Sequence, residues 1–528
     1  MAVGTIASRA TGFLRTVVIA GVLGVAAVGD AFSLANTSPN IVYELLLGGV
    51  LTSVVVPLLV RAAKEDGDDG AAYAQRLLTL VVLALGAASV LLVLAAPLLV
   101  DLYGSRLTPE AYDLAVVFAR FLLPQVLFYG VGAVLGAYLN TRGRFGPPMW
   151  APVLNNLVVI VTGVVFLLMP GPDRVEPGTI TDAQVTVLGI GVTLGIVAQT
   201  VALVPALRGV GFRFTPRFDL RGAGLGHAAR LAKWVFLSVV VSQAAYLVVV
   251  NLAIGAGELT TGRGYASYTY AYVLWQLPHA VVAVSVITAL LPRMSRAAGD
   301  GRTDDLRSLL NHGLRLTISV LVPAAVAFVV LGRVLAVSVF TLVPASQVSG
   351  PDARFIGVLL GVFAVGLVPY STYQVQLRSF YAMQDTRTPT LINLGVSATV
   401  VAVDLALYAL LPDDLKVIGL AAGHATSFAA GLVLCSVVLS RRVGGLDGSV
   451  VVQTAVRCLL ASVVAALPTV LVVALLPRLV GDGPLGSLVT LVVGGLVLAA
   501  GYVVLARRLR VREVDEVVGP VLRRLRLG

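Results

Sequence analysis

Runs of about 20 apolar residues recur along the whole chain, and this repetition constrains the fold more than any other feature. In a lipid bilayer such a run forms a helix, because every backbone N–H and C=O must be paired within the segment. Hydrophobic residues make up 58% of the chain and charged residues only 12%, which excludes a soluble globular domain. We therefore predict an all-α polytopic membrane protein.

The hydropathy pattern predicts fourteen membrane-spanning helices joined by short connections. They are expected at residues 4–27, 31–61, 76–102, 113–139, 148–169, 182–207, 230–254, 265–292, 311–341, 353–382, 388–411, 416–440, 452–476 and 484–506. With both termini in the cytoplasm, 28 basic residues fall in cytoplasmic loops and seven in outer loops, as the positive-inside rule requires. This asymmetry also explains the net charge of +11, so we expect no nucleic acid partner.

Two stretches of the sequence resemble each other at a spacing of six helices. The second span ends in VVPLLVRAAKEDG and the eighth in LLPRMSRAAGDG, so that Pro57 and Pro292 lie 235 residues apart, as do Arg61 and Arg296. Two pseudo-symmetric six-helix lobes plus two C-terminal helices explain this repeat. The expected parts are a first lobe at 1–208, an interfacial linker at 209–229, a second lobe at 230–441, two further helices at 450–507 and an amphipathic cytoplasmic tail at 508–528.

Charged residues in the first two spans are the strongest functional signal, since a charge at the bilayer centre costs about 2.5–3.5 kcal/mol on insertion scales. Arg9 and Arg15 lie in the first span, and Asp30 and Glu44 lie beside or within the second. The two arginines are separated by about 9 Å along a helix. Both would line a wide cleft that favours an anionic substrate. The alternative is that the arginines, Arg9 above all, extend to the headgroups.

The segment Ser38-Pro39-Asn40 is expected to interrupt the second span, because proline removes a backbone donor and clashes with the preceding turn. A broken helix at membrane depth leaves backbone groups free for a ligand, and a kink that serves packing alone is the alternative. Glu44, one turn further on, is expected to neutralise Arg9 or Arg15 when no substrate is bound.

Polar residues in later spans predict a neutral, aromatic lining of the cavity in the second lobe. The candidates for this lining are Gln243, Tyr246, Asn251, Tyr272 and Gln276. Tyr268 is interpreted instead as part of an interfacial aromatic belt. Asp404 is a lone carboxylate in the eleventh span, expected either to bind Na⁺ or a proton or to reach the outer headgroups.

The sequence shows no motif of an enzyme. It contains no nucleophile–base pair and no Walker motif, and its four histidines form no ligand-spaced cluster. We therefore expect no catalytic activity, no cofactor and no metal site of the zinc type. Coupling to Na⁺ or protons, or the membrane potential, would drive any transport.

Several of these residues stand in motifs of a known family. The chain resembles the MurJ (MviN) lipid II flippases at Ser8-Arg9…Gly12-Phe13…Arg15, Asp30-Ala31-Phe32 and Pro39-Asn40. Two longer stretches resemble the same family, GAYLNTRGRFGPPMWAPVLNN (136–156) and FYAMQDTRTPTLIN (380–393). A further stretch, ELLLGGVLTSVVVPLLVRA, resembles the actinobacterial branch of that family. The family belongs to the multidrug/oligosaccharidyl-lipid/polysaccharide (MOP) exporter superfamily.

The resemblance implies a flippase that moves lipid II, an undecaprenyl-pyrophosphate-linked peptidoglycan precursor, across the bacterial cytoplasmic membrane by alternating access. It implies a cationic cavity with Arg9, Arg15 and Asp30 in or beside it, and a lipid-tail groove on the last two helices. Two family arginines are replaced here, by Tyr43 and Val273, which halves the expected number of cations. Membrane lipids and cell-wall synthesis or division proteins are the further partners expected.

Three alternatives to lipid II transport stay open at this point. The chain would be a flippase for another polyprenyl-linked glycan, a MATE-like small-molecule antiporter, or a non-transporting cell-wall scaffold. An antiporter would need carboxylates in the N-terminal half, where Glu44 is the only deep candidate.

Overall fold

The computed structural model describes residues 2–45, 59, 70–219, 225–260 and 262–526, which form helices and contain no β-strand. Twelve helical segments of this described chain are long and apolar enough to cross a membrane. The pair Gly350–Val365 and Leu367–Ala382, bent by 46°, makes a thirteenth. The predicted all-helical membrane fold is thus confirmed. The count of fourteen stays a prediction, because much of span 31–61, with Pro57 and Arg61, lies outside the described residues.

The packing of the backbone divides the chain into two compact units, the first of which comprises residues 1–266 and 345–347. Its helices are α1 (Ala2–Leu23), α2 (Ala27–Tyr43), α3 (Ala71–Leu94), α4 (Ala96–Tyr103), α5 (Pro109–Leu122), α6 (Gln125–Thr141), α7 (Gly146–Leu168), α8 (Asp182–Val201), α9 (Val204–Gly209) and α10 (Leu225–Glu258). The sequence division places α10 in the second lobe, whereas in the structure this helix packs with the first unit.

α1 ends at Gly24, whose φ of +72° is a conformation that glycine adopts at little cost. Gln347 packs directly on this turn, and its backbone N–H donates to the carbonyl of Gly21 at 2.7 Å. Its side-chain amide accepts from the N–H of Val175 at 3.2 Å and donates to the carbonyl of Asp173 at 3.0 Å. These bonds fasten residues 345–347 to the first unit.

Residues 212–219 of the predicted linker are not helical and are fastened to the start of α3. The Gln75 amide donates to the carbonyl of Arg213 at 2.8 Å, and Arg76 forms an ion pair with Asp219 at 2.5 Å. This hydrogen-bonded arginine holds the pKa of the Asp219 carboxyl below its ordinary value. Residues 220–224 lie outside the described residues, so the interfacial role of the whole linker stays a prediction.

The second unit comprises residues 267–344 and 348–528. Its helices are α11 (Tyr265–Gly299, which starts in the first unit), α12 (Thr303–Phe340), α13 (Gly350–Val365), α14 (Leu367–Ala382), α15 (Arg387–Leu410), α16 (Lys416–Arg442), α17 (Gly448–Leu475), α18 (Pro477–Val480), α19 (Pro484–Arg508) and α20 (Arg512–Arg526). A 3₁₀ turn, Asp413–Leu415, precedes α16.

The start of α20 packs against α12 of the same unit. Arg315 forms an ion pair with Glu513 at 3.2 Å, and Val511 and Val514 are buried in the core beside Tyr502. The first turns of the predicted cytoplasmic tail are therefore anchored on protein, and a role on the lipid surface stays a prediction for the remainder.

The backbones of α12 and α13 approach closely at two glycines. A Cβ atom added to Gly357 would lie 2.5 Å from the carbonyl oxygen of Gly332 and 2.5 Å from Cα of Arg333. Lipid gives apolar helices little hydrophobic reason to associate, so close backbone packing at small residues carries much of the stability. The contact at Gly357 has no room for a side chain.

Gly357→Ala is expected to destabilise the second unit by about 1–3 kcal/mol, because the added methyl group forces α12 and α13 apart. The apparent melting temperature of the purified chain in detergent measures the effect. Gly86→Ala is the matched control, since a Cβ at Gly86 of α3 has no neighbour within 4 Å. Equal melting temperatures for the two variants would contradict the role of this contact.

Candidate functional site

Arg15 of α1 lies within electrostatic range of the Tyr129 side chain on α6. The Tyr129 hydroxyl donates to Oε1 of Gln125 at 3.2 Å, and Nε2 of Gln125 donates to the hydroxyl of Thr193 at 3.0 Å. Gln125 is only 1% exposed, so this chain of hydrogen bonds is fixed from inside the unit. These bonds fix the position of the Tyr129 hydroxyl. Neither Tyr129 nor Gln125 was predicted as a site residue, although both are polar residues within an apolar span.

Two residues of α2 that were predicted for the site, Asn40 and Tyr43, contact Tyr129. Asn40 hydrogen-bonds the Tyr129 hydroxyl, and the Tyr43 ring lies 5.7 Å from the Tyr129 ring between centroids. Ser38 is buried, and its hydroxyl donates to the carbonyl of Leu34 at 2.9 Å within its own helix. The structure therefore brings Asn40 and Tyr43 to Tyr129, while Ser38 serves the helix itself.

The predicted interruption of the second span at Ser38-Pro39-Asn40 is wrong, because α2 continues through Pro39. Hydroxyls on the preceding turn bond main-chain carbonyls, with Thr37 donating to Ser33 at 2.8 Å. The helix is therefore continuous here, although Pro39 has no N–H to donate to the carbonyl of Ala35.

The positive charges of α1 are not balanced by carboxylates in the part of the chain that the structure describes. Arg9 and Arg15 are partly buried without a described ion pair, and the Nε of Arg9 has no described hydrogen-bond partner. Glu44 is exposed, and it accepts a hydrogen bond from Nε2 of Gln243 at 2.9 Å. The described bond of Glu44 thus goes to an amide rather than to either arginine.

Asn156 of α7 fixes the backbone of α1 near Arg9. Its Nδ2 donates to the carbonyl of Ser8 at 3.1 Å and to the hydroxyl of Thr11 at 3.0 Å. Asn156 closes the first family stretch, residues 136–156. The structure thus gives this part of the motif a physical role, since it positions the helix that carries both arginines.

Asp30 has backbone partners. It is 3% exposed, and its two carboxylate oxygens accept the N–H of Ala266 at 2.6 Å and of Tyr265 at 3.3 Å. These are the first N–H groups of α11, which lack partners within the helix and carry the positive end of its dipole. Gly264 provides the space, because a Cβ there would lie 2.5 Å from Oδ2 of Asp30. Asp30 therefore caps the start of α11.

Asp30→Ala is expected to lower stability by about 1–3 kcal/mol for each N–H group left unpaired, and two are involved. Asp30→Asn keeps one acceptor oxygen and should lie between the wild type and the alanine variant. Thermal denaturation followed by gel filtration in detergent measures the loss. Asp113→Ala, at an exposed position of α5, is the control. An alanine variant at position 30 with the stability of the wild type would overturn the capping role.

Two further candidates, Tyr246 and Asn251, join α10 to the first unit. The Tyr246 and Tyr265 hydroxyls are 2.5 Å apart. Oδ1 of Asn251 accepts from the hydroxyl of Ser105 at 2.7 Å, and its Nδ2 donates to the carbonyl of Leu102 at 2.9 Å. With the bond between Gln243 and Glu44, these contacts explain why α10 packs with the first unit.

In the second unit, Tyr272 belongs to a buried aromatic cluster. Its ring lies 5.1 Å from Trp275 and 5.8 Å from His424 between centroids. The interpretation of Tyr268 as an interfacial residue is wrong, because Tyr268 is 3% exposed and its hydroxyl lies 2.7 Å from Nδ1 of His424. Residue spacing within one helix did not predict which helices would meet in this cluster. Gln276 lies one turn further along α11 and is partly buried.

Asp404 on α15 is completely buried, and neither carboxylate oxygen has a hydrogen-bond partner among the described residues. The backbone of Gly423 on α16 lies against Oδ1. The side chain therefore does not extend to the headgroups. No group of three or more His, Cys, Asp or Glu that would hold a metal occurs in the described ranges. An unpaired buried carboxylate is costly, which makes Asp404 the candidate for taking up a proton or a cation.

The second family stretch, residues 380–393, connects α14 to α15. Asp385 accepts hydrogen bonds from the N–H of Thr388 at 3.0 Å and from its hydroxyl at 2.6 Å, and it pairs with Arg442 at the end of α16. Burial alone would raise the pKa of the Asp385 carboxyl, but these hydrogen bonds outweigh burial and hold the pKa below its ordinary value. The motif thus joins three helices at one end.

The chain is similar in sequence to known proteins. The sequence profile of the family described as "Lipid II flippase MurJ" matches residues 19–494. The lipid II flippase MurJ of Burkholderia cenocepacia is 29% identical over 416 residues, which cover 77% of this chain and 76% of that protein. A probable lipid II flippase MurJ of Thermotoga maritima is 24% identical over 521 residues, which cover 98% of this chain and 96% of that protein.

Solved structures show the same fold. A lipid II flippase MurJ in an inward closed conformation matches with a TM-score of 0.73 and 20% identity, over 96% of this chain and 99% of that chain. An inward-facing multidrug resistance MATE transporter of the MOP superfamily matches with a TM-score of 0.64 and 16% identity, over 83% of this chain and 94% of that chain. Since the family profile spans most of the sequence, the chain belongs to the lipid II flippase MurJ family.

Proposed function

We propose that this chain is a flippase that carries lipid II from the inner to the outer leaflet of the bacterial cytoplasmic membrane by alternating access. Membership of the family supports this function. The observation that carries it is the position of Arg15, a partly buried cation without a described acidic partner, within electrostatic range of the fixed Tyr129 side chain. A guanidinium forms strong, paired hydrogen bonds with phosphate oxygens, and lipid II presents a pyrophosphate.

The neighbouring groups suit a pyrophosphate that is held by few cations. Asn40, Tyr43 and Tyr129 form a group of neutral amide and hydroxyl donors, and Tyr129 is within electrostatic range of Arg15. Tyr43 stands where the resemblance implies an arginine, so a hydroxyl donor replaces a charge there. We infer that Arg9 and Arg15 carry the electrostatic attraction, while the neutral donors orient the bound phosphates.

The remaining parts of the proposal follow the same assignment. We infer that α17 and α19 hold the undecaprenyl chain, that both termini are cytoplasmic and that the protein catalyses no covalent step. Asp404 is proposed to couple transport to Na⁺ or protons, because it is an unpaired buried carboxylate within a span. Cell-wall synthesis or division proteins are proposed partners.

The main alternative is a MATE-like antiporter, which the shared fold suggests. Export of a cationic compound would need an accessible carboxylate beside the substrate. In the described part of the first unit, Asp30 is buried and engaged by two backbone N–H groups, whereas Glu44 is exposed and bonds the neutral amide of Gln243. Two arginines, Arg9 and Arg15, stand against this one accessible carboxylate, and this balance favours an anionic substrate.

Depletion of the protein in a host without another lipid II flippase tests the proposal. Lipid II that is accessible at the outer surface is expected to fall, because supply from the inner leaflet stops. Unchanged exposure would contradict the proposal. In that case, accumulation of another polyprenyl-linked glycan at the inner leaflet would identify a different substrate, and mislocalised cell-wall proteins alone would indicate a scaffold.

A further inference from the structure

The second unit contains a cavity of about 610 Å³ that shares no lining residue with the candidate site around Arg15. Its walls come from α12, α14, α16 and α17, and no residue of α19 lines it. Binding sites for small molecules usually enclose about 300–1,000 Å³. The cavity is therefore large enough for a substantial part of a lipid molecule.

The lining of this cavity is divided along its length by chemistry. Most of the wall is apolar, and it includes Leu314, Ile318, Val368, Leu432, Val451 and Ala455. The polar end contains Asn311, Ser440 and Arg441, near the point where α16 ends and α17 begins. A molecule that fits both parts has an apolar chain and a polar head.

Two polar residues of the wall already satisfy each other. Nε2 of Gln376 donates to the hydroxyl of Ser436 at 2.9 Å, and that hydroxyl lies 3.1 Å from Oε1 of Gln376. This pair joins α14 to α16 and leaves little demand for a ligand. The recognition groups must therefore lie elsewhere in the cavity.

Asn311 is the group that lacks a partner. It is 7% exposed, and its Nδ2 donates to Oδ2 of Asp447 at 3.1 Å. Its Oδ1 is buried and has no hydrogen-bond partner in the described chain. A buried acceptor without a donor costs about 1–3 kcal/mol, so a ligand with a hydroxyl or amine would remove this cost.

The charges at the polar end favour a phosphate. Arg441 lines the cavity and has no ion pair with a described residue, whereas its neighbour Arg442 pairs with Asp385. The carboxylate that bonds Asn311, Asp447, lies 4.0 Å from Nε of Arg307, which offsets its charge. A guanidinium that is not committed to a carboxylate is a strong donor for phosphate oxygens.

We propose that this cavity binds one membrane phospholipid, distinct from the flipped substrate. An acyl chain covers the apolar wall, the phosphate lies against Arg441 and Ser440, and a hydroxyl or amine of the headgroup donates to Oδ1 of Asn311. The sequence predicts that this end of the unit is cytoplasmic, where anionic lipids are abundant. The bound lipid fills the space between α16 and α17.

Native mass spectrometry of the full chain, purified in mild detergent and titrated with phosphatidylglycerol, tests this site. We expect one tightly retained phospholipid per chain. Arg441→Ala should weaken its binding about tenfold, the effect of losing one charge-assisted contact. Ala455→Phe, which fills the apolar part of the cavity, should abolish retention. Diacylglycerol with the same acyl chains should bind poorly, because it lacks the phosphate.

Arg508→Ala is the matched control, since it removes an exposed arginine at the end of α19 that does not line the cavity. Equal lipid binding by Arg441→Ala and Arg508→Ala would overturn the proposal, as would equal affinity for diacylglycerol. Arg441 lies on the surface, so its variant is expected to fold even if Ala455→Phe does not. The readout is lipid retention, so a negative result would contradict the lipid site without contradicting the flippase function.

Discussion

Arg15→Ala is expected to lower the rate of lipid II flipping by about 10–100-fold while leaving expression and membrane insertion unchanged. The size follows from the loss of hydrogen bonds to a charged group, worth about 1.5–3 kcal/mol. Arg15 has no described ion pair to lose, so the folded state gains or loses little. Arg15→Lys should show an intermediate rate, because it keeps the charge but not the planar pair of donors.

Arg120→Ala provides the comparison for Arg15→Ala. Arg120 is also an arginine within a predicted span, but it is exposed in the last turn of α5 and belongs to no described hydrogen bond of the candidate site. Flipping is measured as the appearance of lipid II on the far side of a vesicle membrane. Full activity of the Arg15→Ala protein would remove this residue from the mechanism.

Substitution of Asp404 is expected to give the second large effect. It should raise the stability of the second unit and remove the response of transport to ion gradients. Asp404→Leu is expected to stabilise the second unit by about 1–3 kcal/mol, because an unpaired buried polar group is removed. Asp404→Asn keeps the shape of the side chain but cannot exchange a proton or carry a charge. If Asp404 couples transport to ions, flipping by either variant should no longer respond to an imposed Na⁺ or proton gradient.

Asp414→Asn, at an exposed position between α15 and α16, serves as the control for Asp404. Separate Na⁺ and pH gradients across the vesicles identify which ion is used. A variant that keeps the wild-type response to both gradients would exclude Asp404 from coupling. A loss of stability in Asp404→Leu would show that the carboxyl group has a partner in the folded protein.

Much of the fold follows from the sequence because hydropathy and the need to pair backbone groups leave few choices in lipid. The limits of this reasoning lie at helix breaks. The span predicted at 353–382 is two helices that meet at Gly366 with a bend of 46°. Its apolar pattern is continuous across the break, and Pro369 lies in the first turn of α14, where a missing N–H is tolerated. Hydropathy alone does not reveal such a bend.

The candidate site was predicted in part. Arg15 was identified because a charge within an apolar span is expensive, and this signal is local. The role of Asp30 was not predictable in the same way, because its partners are backbone N–H groups 235 and 236 residues away. Backbone donors cannot be identified from the residue types in a sequence. The aromatic contacts of Tyr268 likewise depend on which helices become neighbours.

The most direct test of the flippase assignment is transport by the purified chain in vesicles of defined composition. Vesicles that contain the protein and lipid II are sampled for lipid II on the outer side, with and without imposed ion gradients. Our account predicts protein-dependent transfer of lipid II, with little transfer by the Arg15→Ala protein. No transfer of lipid II by correctly folded wild-type protein under either gradient would contradict it.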